Sequence, residues 1–370
     1  MAIYIFTIII LFVFALLEAY YKLNSNSRRL LFFIAYSILV LQVGLRWETG
    51  TDWNQYLTHF KLFNGLSTKY PYLILFEYGY SLFVMIVKLF TSQYSVFLLL
   101  HAVIYYFIIF KSFQRYTPYL FLSLMLFYTL SMGMMGSNRQ LIALAICLYS
   151  LRYIVENKPV KFFILIFVAI NFHMTSILFI VYYFINREIK PHLLIIILTI
   201  AIISGTFQLP MVLFLFFGNL IGGIAAQKAL IYANDAKDVL LEYKLSVIGL
   251  LKRVIFLSVF YFNRKKISEE LPYYNLMLNG YIIGIAIYFM FASSLLIMVS
   301  RGSIFFNIME PLLIASQLVL FKKNRNKFII IGVLLVFSIL FFFQSIETYP
   351  ELFLPYKGIF INIDFHREMT

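Results

Sequence analysis

The sequence predicts an all-α, polytopic integral membrane protein of about 10–14 transmembrane helices, with short or re-entrant helices at the outer face. Three observations lead there. Hydrophobic residues make up 62% of the 370 residues and charged residues only 12%, about half the charged share of a soluble domain. Apolar runs recur at the roughly 20 residues that cross a bilayer core. The alternating segments of about ten residues that mark membrane β-barrels are missing.

Along the chain, the first run, 2–21, has no basic n-region and no small-residue cleavage site, so it reads as a retained helix rather than a signal peptide. Further runs follow at 30–45, 94–110, 118–135 and 140–155. The stretch 73–90 cannot be a full span if 94–110 is one, so it is expected to be tilted or re-entrant. The run 160–185 must begin and end on one side, which predicts two short helices broken near Asn171-Phe172-His173. Runs at 192–207, 246–262, 273–299, 303–321 and 328–344 complete the set. Phe207 to Gln227 is apolar and Gly-rich, as an interfacial or re-entrant helix would be. No internal repeat is visible, which speaks against an inverted-repeat transporter.

Six short linkers are basic: Lys22/Arg28/Arg29, Lys111/Arg115, Arg152/Lys158/Lys161, Arg187/Lys190, Arg264/Lys265/Lys266 and Lys322/Lys323/Arg325/Lys327. They hold more than half of the 30 basic residues, and the positive-inside rule puts them in the cytoplasm. The N-terminus, the segments at about 46–72 and 208–245, and the tail 345–370 then lie outside, around one transmembrane domain that takes in residues 1–370. The net charge of +14 therefore reports topology, and no nucleic-acid partner is expected. The single Cys147 excludes a disulfide framework and a cysteine metal site.

Basic residues that break the positive-inside pattern carry more information. Arg46 closes the second run on its outer side, in LRWETGTDWNQY (45–56). Arg139 and Arg301 sit at other outer junctions, Lys252 and Arg253 lie within an apolar run, and His173 marks the turn of the broken pair. Each has a bland reading. Arg46 and Arg301 can snorkel to headgroups. Ser137-Asn138 reads as a helix N-cap, where a cation such as Arg139 opposes the helix dipole. Thr51 or Asp52 can cap a helix starting at Trp53, and Trp53 and Tyr56 can sit in an interfacial belt. Glu310 is a candidate partner for Arg253, since a lone charge in a span costs roughly 3 kcal/mol. Lys88, His59 and His101 read as packing or interface residues. Taken together, the arginines suggest an outward-facing anion site. Arginine stays charged at any working pH and forks onto phosphate oxygens. A histidine among them can act as a general base. No Walker loop, GxSxG elbow, HExxH pair or DxD pair is present, so no cofactor or metal is expected.

LRWETGTDWNQY, FEYGY (76–80), SNRQLIALAI (137–146), NFHMTSILF (171–179), SRGSIFFN (300–307) and LPYKGIF (354–360) resemble the EpsG family, Wzy-like polymerases of bacterial exopolysaccharide, capsule and O-antigen. The GTDW, RQ and HMTS elements are the most characteristic. Family members more often show a Glu-Arg pair where this chain has Ser300-Arg301.

The resemblance implies a glycosyltransferase of the bacterial inner membrane whose site faces the periplasm or exterior. A growing glycan would leave undecaprenyl pyrophosphate for the non-reducing end of a new lipid-linked repeat unit. Pyrophosphate is a good leaving group once its charge is neutralised, so a metal-independent reaction is expected. Arg139, with Arg46, Arg253 and Arg301, would bind pyrophosphate. His173 would be the base on the acceptor hydroxyl, with Asp52 orienting it or a sugar. Gln140 belongs to the same RQ element and is assigned to substrate binding. Trp47, Trp53 and Tyr56 would stack on sugar faces, and Tyr356 would line the glycan path. Expected partners are the undecaprenyl-pyrophosphate-linked oligosaccharide, the bilayer and a chain-length regulator. A flippase or exporter, a polyprenyl-phosphate-sugar-dependent glycosyltransferase and an acyltransferase of surface glycans are the alternatives. A flippase would spread its cations along a path through the helices, whereas here they gather at one face.

Overall fold

The computed structural model describes residues 1–21, 23–65, 76–222, 230, 247–295 and 298–367. Among the described residues the regular elements are all helices, with isolated bridges at Arg46–Gly358 and Gly358–Ile361. Five helices among the described residues are each long and apolar enough to cross a membrane, and six if one bent pair counts as a single span. The protein is thus a multi-pass membrane protein by helix composition. Shorter apolar helices at Tyr78–Lys88, Leu120–Leu130, Pro159–Ile170, Met174–Phe184 and Ile304–Leu320 make up much of what the sequence counted as spans.

The chain forms two compact units. The first comprises Met1–Ile177 and Ile314–Thr370. In it, α1 (Ala2–Tyr20) packs against α6 (Leu120–Leu130) and the long helix Asn324–Ile346. Helix α2 (Ser25–Gly44) packs against α5 (Tyr94–Tyr116), and α5 and α8 (Pro159–Ile170) both flank α7 (Asn138–Val155). Helix starts follow local chemistry. The Asn24 side chain accepts the Ser27 N–H at 2.7 Å to cap α2, and Pro159 opens α8 where its missing N–H costs nothing.

Helix α6 is buried on every face from Leu120 to Thr129, as its all-round apolar sequence requires. At 11 residues it rises only about 16 Å, too short to cross a core of about 30 Å. Its N-terminus is met by Glu18 of α1, whose carboxylate accepts the Phe121 N–H at 3.0 Å and pairs with Arg28 at 3.3 Å. Helix α1 instead leaves Phe6, Ile9 and Val13 exposed, the pattern of a helix solvated by lipid on one side.

Two short helices lie beside these long ones. Helix α3 (Trp53–Leu62) begins where the sequence placed it, and α4 (Tyr78–Lys88) has 11 residues, too few for a span. The run 160–185 breaks as expected. Helix α8 ends at Ile170, and a 3₁₀ stretch, Met174–Ile180, resumes after Asn171-Phe172-His173.

The second unit is Leu178–Leu313. Pro191–Thr206 and Leu209–Leu220 meet at 67°, a broken span or re-entrant loop of the kind expected from the apolar Gly-rich stretch. The bend falls at Gln208, whose φ is 51°. Tyr274–Phe291 packs on Pro191–Thr206, where Gly205 lets the backbones touch; a Cβ there would lie 2.0 Å from the Phe289 carbonyl oxygen. The expected pairing of Glu310 with Arg253 is corrected. Lys252 pairs with Glu310 at 2.9 Å, while Arg253 donates to the Gly249 carbonyl and lies 3.9 Å from the Tyr288 ring centroid. Successive helical residues point about 100° apart, so only one of the two can face Glu310. Of the segments expected outside, 66–72, 223–229, 231–245 and 368–370 lie beyond the described residues.

Candidate functional site

The LRWETGTDWNQY segment is held by two other stretches of the first unit. The tail closes on its first half. Trp47 N–H donates to the Lys357 carbonyl at 3.0 Å, Ile359 N–H to Leu45 at 2.9 Å, and Lys357 Nζ pairs with Glu48 at 2.6 Å. The second half zips onto GMMGS. Thr51 N–H donates to the Met135 carbonyl at 3.0 Å, and Gly50 and Gly136 have φ of 98° and 116°. A Cβ on Gly50 would lie 1.9 Å from the Met135 oxygen, and one on Gly136 would lie 2.1 Å from the Thr51 oxygen. Only glycine fits both the conformation and the approach. This contact carries the first turn of α7, and with it Arg139, to the start of α3.

Arg46 is fully enclosed in this arrangement, at 1% exposure. Its Nη1 donates to the Val43 carbonyl at 2.6 Å and its Nη2 to Asn138 Oδ1 at 2.7 Å. Burial pushes its guanidinium below the ordinary arginine range, with nearby tyrosines opposing. The Asn138 carbonyl also lies 2.8 Å from His101 Nε2. Asn138, expected as part of the α7 cap, is therefore a clamp; Ser137 is the N-cap and makes no side-chain cap bond.

Arg139 follows directly and is half-buried. Its Nη1 donates to Glu77 Oε2 at 2.5 Å and its Nε to the Tyr56 hydroxyl at 3.2 Å. The guanidinium lies 4.3 Å from the Phe76 ring centroid and 5.7 Å from that of Tyr56. Its Nη2 has no hydrogen-bond partner among the described residues, leaving one edge of a fixed cation for an anion's oxygen. Burial raises the Tyr56 hydroxyl above the ordinary phenol range, so it stays a protonated neighbour of the cation.

Glu77 also reaches the His173 turn. Its Oε1 accepts the Met174 N–H at 3.2 Å. The first turn of α4 returns the contact, since the Asn171 carbonyl accepts from Gly79 at 2.8 Å and from Tyr80 at 3.3 Å. One FEYGY segment thus joins Arg139 to NFHMTS. His173 Nδ1 lies 2.7 Å from Thr175 Oγ1. With Nδ1–H as the donor there, Nε2 carries the lone pair that a general base needs. Among the described residues no three His, Cys, Asp or Glu side chains gather to hold a metal ion.

A model of the EpsG family matches residues 29–358. The chain belongs to the EpsG family. No curated protein and no solved structure matches it.

The segments through which this chain resembles EpsG proteins come together unevenly in space. Arg139 and the His173 turn share Glu77 as a neighbour, and Arg139 and Tyr56 share Phe76. Asp52, at the start of α3, has φ 56° and an exposed side chain and makes no cap bond. Trp53 and Tyr56, expected to stack on sugars, are 4% and 3% exposed and belong to a buried aromatic cluster with Phe60, Tyr80 and Tyr94. Neither offers an open ring face, whereas Trp47 is only partly buried against the cluster. Tyr356 is also enclosed. Its hydroxyl donates to the Gln42 carbonyl at 2.7 Å and is pushed up to about 12 by burial, so it fastens the tail rather than lining an open path. Gln140 is buried beside Arg139 in sequence. Arg253 and the exposed Arg301 belong to the second unit; Arg301 sits in the π-helical turn Met298–Gly302. The side chain of Ser300 lies outside the described residues.

Sequence reasoning missed Glu77 and Asn138 as site residues, although both lie in segments that carry the EpsG resemblance. Glu77 was one acid in an apolar stretch with no charge near it in sequence. Its partner is 62 positions away.

Proposed function

We propose that this EpsG-family protein is a membrane enzyme of polysaccharide biosynthesis, a polymerase working on the outer face of the bacterial cytoplasmic membrane. It transfers a growing glycan from undecaprenyl pyrophosphate to the non-reducing end of a new lipid-linked repeat unit. The observation that carries this reading is the placement of Arg139, a half-buried cation with one open edge, and the His173 turn on the same residue, Glu77.

In the reaction, His173 Nε2 takes the proton of the acceptor hydroxyl. The oxygen attacks the anomeric carbon, and the bond from that carbon to the pyrophosphate oxygen breaks. The leaving pyrophosphate gains one negative charge, which Arg139 neutralises through its unpartnered edge. Arg46 acts from behind, holding Asn138 and thereby the first turn of α7. Asp52 and Gln140 are proposed as sugar contacts, and Tyr356 as a residue that sets the tail. An acceptor hydroxyl, a base and a neutralised leaving group complete the chemistry.

The test is a product ladder. Purified protein in liposomes receives one lipid-linked repeat unit, without nucleotide sugar, with and without EDTA. An EDTA-insensitive ladder that collapses in His173→Ala and Arg139→Ala is the expected result. Undiminished chain length and yield in both variants would overturn the site. No ladder from folded protein with its cognate substrate would overturn the polymerase reading.

A further inference from the structure

We propose that the ends of α5 and α7 remote from Arg139 form a second site, which binds the phosphate of an anionic amphiphile. The inference is independent of the polymerase reading. A cavity of about 310 Å³ lies there, lined by Lys111, Ser112, Gln114 and Arg115 of α5 and by Tyr149 and Arg152 of α7, with Tyr116 at its edge. Arg139 sits in the first turn of α7 and Arg152 in the last, so the two are about 20 Å apart along the axis. The cavity therefore lies at the opposite end of the bundle from the candidate active site.

By sequence these cations only marked a cytoplasmic linker. Two features make them more than that. First, they are held in place. The Arg152 guanidinium lies 3.8 Å from the Tyr149 ring centroid and 4.5 Å from that of Tyr153, whose hydroxyl accepts from Nη2. Ser112 and Tyr116 spend their hydroxyls on the Ile108 and Leu148 carbonyls, which fixes the wall. Second, the cations outnumber the carboxylates: Glu156 is the acid that acts on Arg152, and only at longer range. Glu156 serves Arg115 at 2.6 Å and Lys158 at 2.7 Å. Among the described residues neither Lys111 nor Arg152 has a carboxylate within ion-pair distance. A concave wall with two such cations suits a phosphate, which accepts from a point-charge ammonium and a flat guanidinium at once.

The surface leading to the cavity says which kind of phosphate fits. Val103, Ile104 and Phe107 are exposed on α5, at 37%, 39% and 52%. With Lys111 they fall at helical spacings of three, four, seven and eight, so they share one stripe. Lys111 Nζ lies 5.7 Å from the Phe107 ring centroid, where the stripe meets the cavity. An apolar strip ending in a cationic hollow matches an acyl chain and its phosphate headgroup.

The test uses full-length protein purified in mixed micelles of detergent with phosphatidylglycerol or with phosphatidylcholine, and native mass spectrometry to count the lipid retained. Wild type is expected to retain phosphatidylglycerol over phosphatidylcholine. Lys111→Gln/Arg152→Gln should lose about tenfold in its affinity for phosphatidylglycerol. Lys322→Gln/Lys323→Gln removes the same charge from another basic linker and should retain the lipid as wild type does. Lys111→Arg/Arg152→Lys keeps both charges and should retain most of it. In a second arm, inorganic pyrophosphate is titrated without phospholipid while thermal melting is followed. A shift in wild type that is absent in the Gln pair would assign the cavity to a soluble phosphate and overturn the amphiphile. Equal lipid retention by wild type and the Gln pair overturns the site. So does equal loss in the Lys322/Lys323 control, which would make the binding diffuse. Loss in the charge-keeping pair at wild-type melting temperature overturns the role of charge.

Discussion

At the residue scale, the informative feature is that Glu77 divides its two oxygens between Arg139 and the backbone of Met174. Glu77→Gln keeps an acceptor for the Met174 N–H and, in the proposed reaction, removes the charge that would compete with a pyrophosphate for Arg139. The expected outcome is a lower KM for the lipid-linked donor, by roughly tenfold, measured in steady-state ladder assays. Arg139→Ala should cost about 100- to 1000-fold in kcat, the loss typical of removing one donor to a developing negative charge. Arg46→Lys, in contrast, is expected to act through the fold. It cannot span both Val43 and Asn138 with one flat fork, so stability falls by about 2 kcal/mol in thermal unfolding, and activity falls with it. Tyr356 carries a pH signature. Its hydroxyl moves from 10.0 unfolded to about 12 folded, so its contribution is complete below pH 10.0 and is lost as pH rises towards 12. Tyr356→Phe should flatten that alkaline decline in a melting-temperature profile.

At the element scale, helices are set by local chemistry and joined by close backbone contacts. The GTDW and GMMGS segments meet through Gly50 and Gly136, where a side chain has no room and the conformation is left-handed. Gly50→Ala should destabilise by more than about 1 kcal/mol from conformation alone, with the clash added. Gly332, inside the helix Asn324–Ile346, has nothing within 4 Å of its missing Cβ. Gly332→Ala should be neutral or stabilising by up to about 1 kcal/mol. Melting both variants in the same detergent checks the contrast; equal losses would mean the loop contact is not what holds the two segments. The two glycines look alike in sequence. The difference lies in whether another backbone approaches, and that is a fact of tertiary packing.

At the scale of the whole molecule, membrane character was plain in the sequence because it depends on average apolarity over about 20 residues, which no contact can alter. The number of full spans was less legible. Helix α6 is as apolar as a span, yet it is a short core helix surrounded by α1, α5 and Asn324–Ile346. Hydropathy reports burial without saying whether lipid or protein does the burying. The break at Asn171–His173 was legible, because two basic linkers on one side leave room only for a turn between them.

The sequence by itself determined the class, the helical breakpoints and the family resemblance, since each rests on composition or on short contiguous motifs. It also singled out Arg46, Arg139 and His173 as misplaced charges. Only the tertiary structure decided what each does. It enclosed Arg46 as a clamp, gave Arg139 a carboxylate partner 62 positions away, buried Trp53 and Tyr56, and joined Lys252 rather than Arg253 to Glu310. The physical reason is that hydrophobic transfer is additive along a chain, whereas hydrogen bonds and ion pairs depend on distances of a few ångströms between segments that sequence leaves far apart.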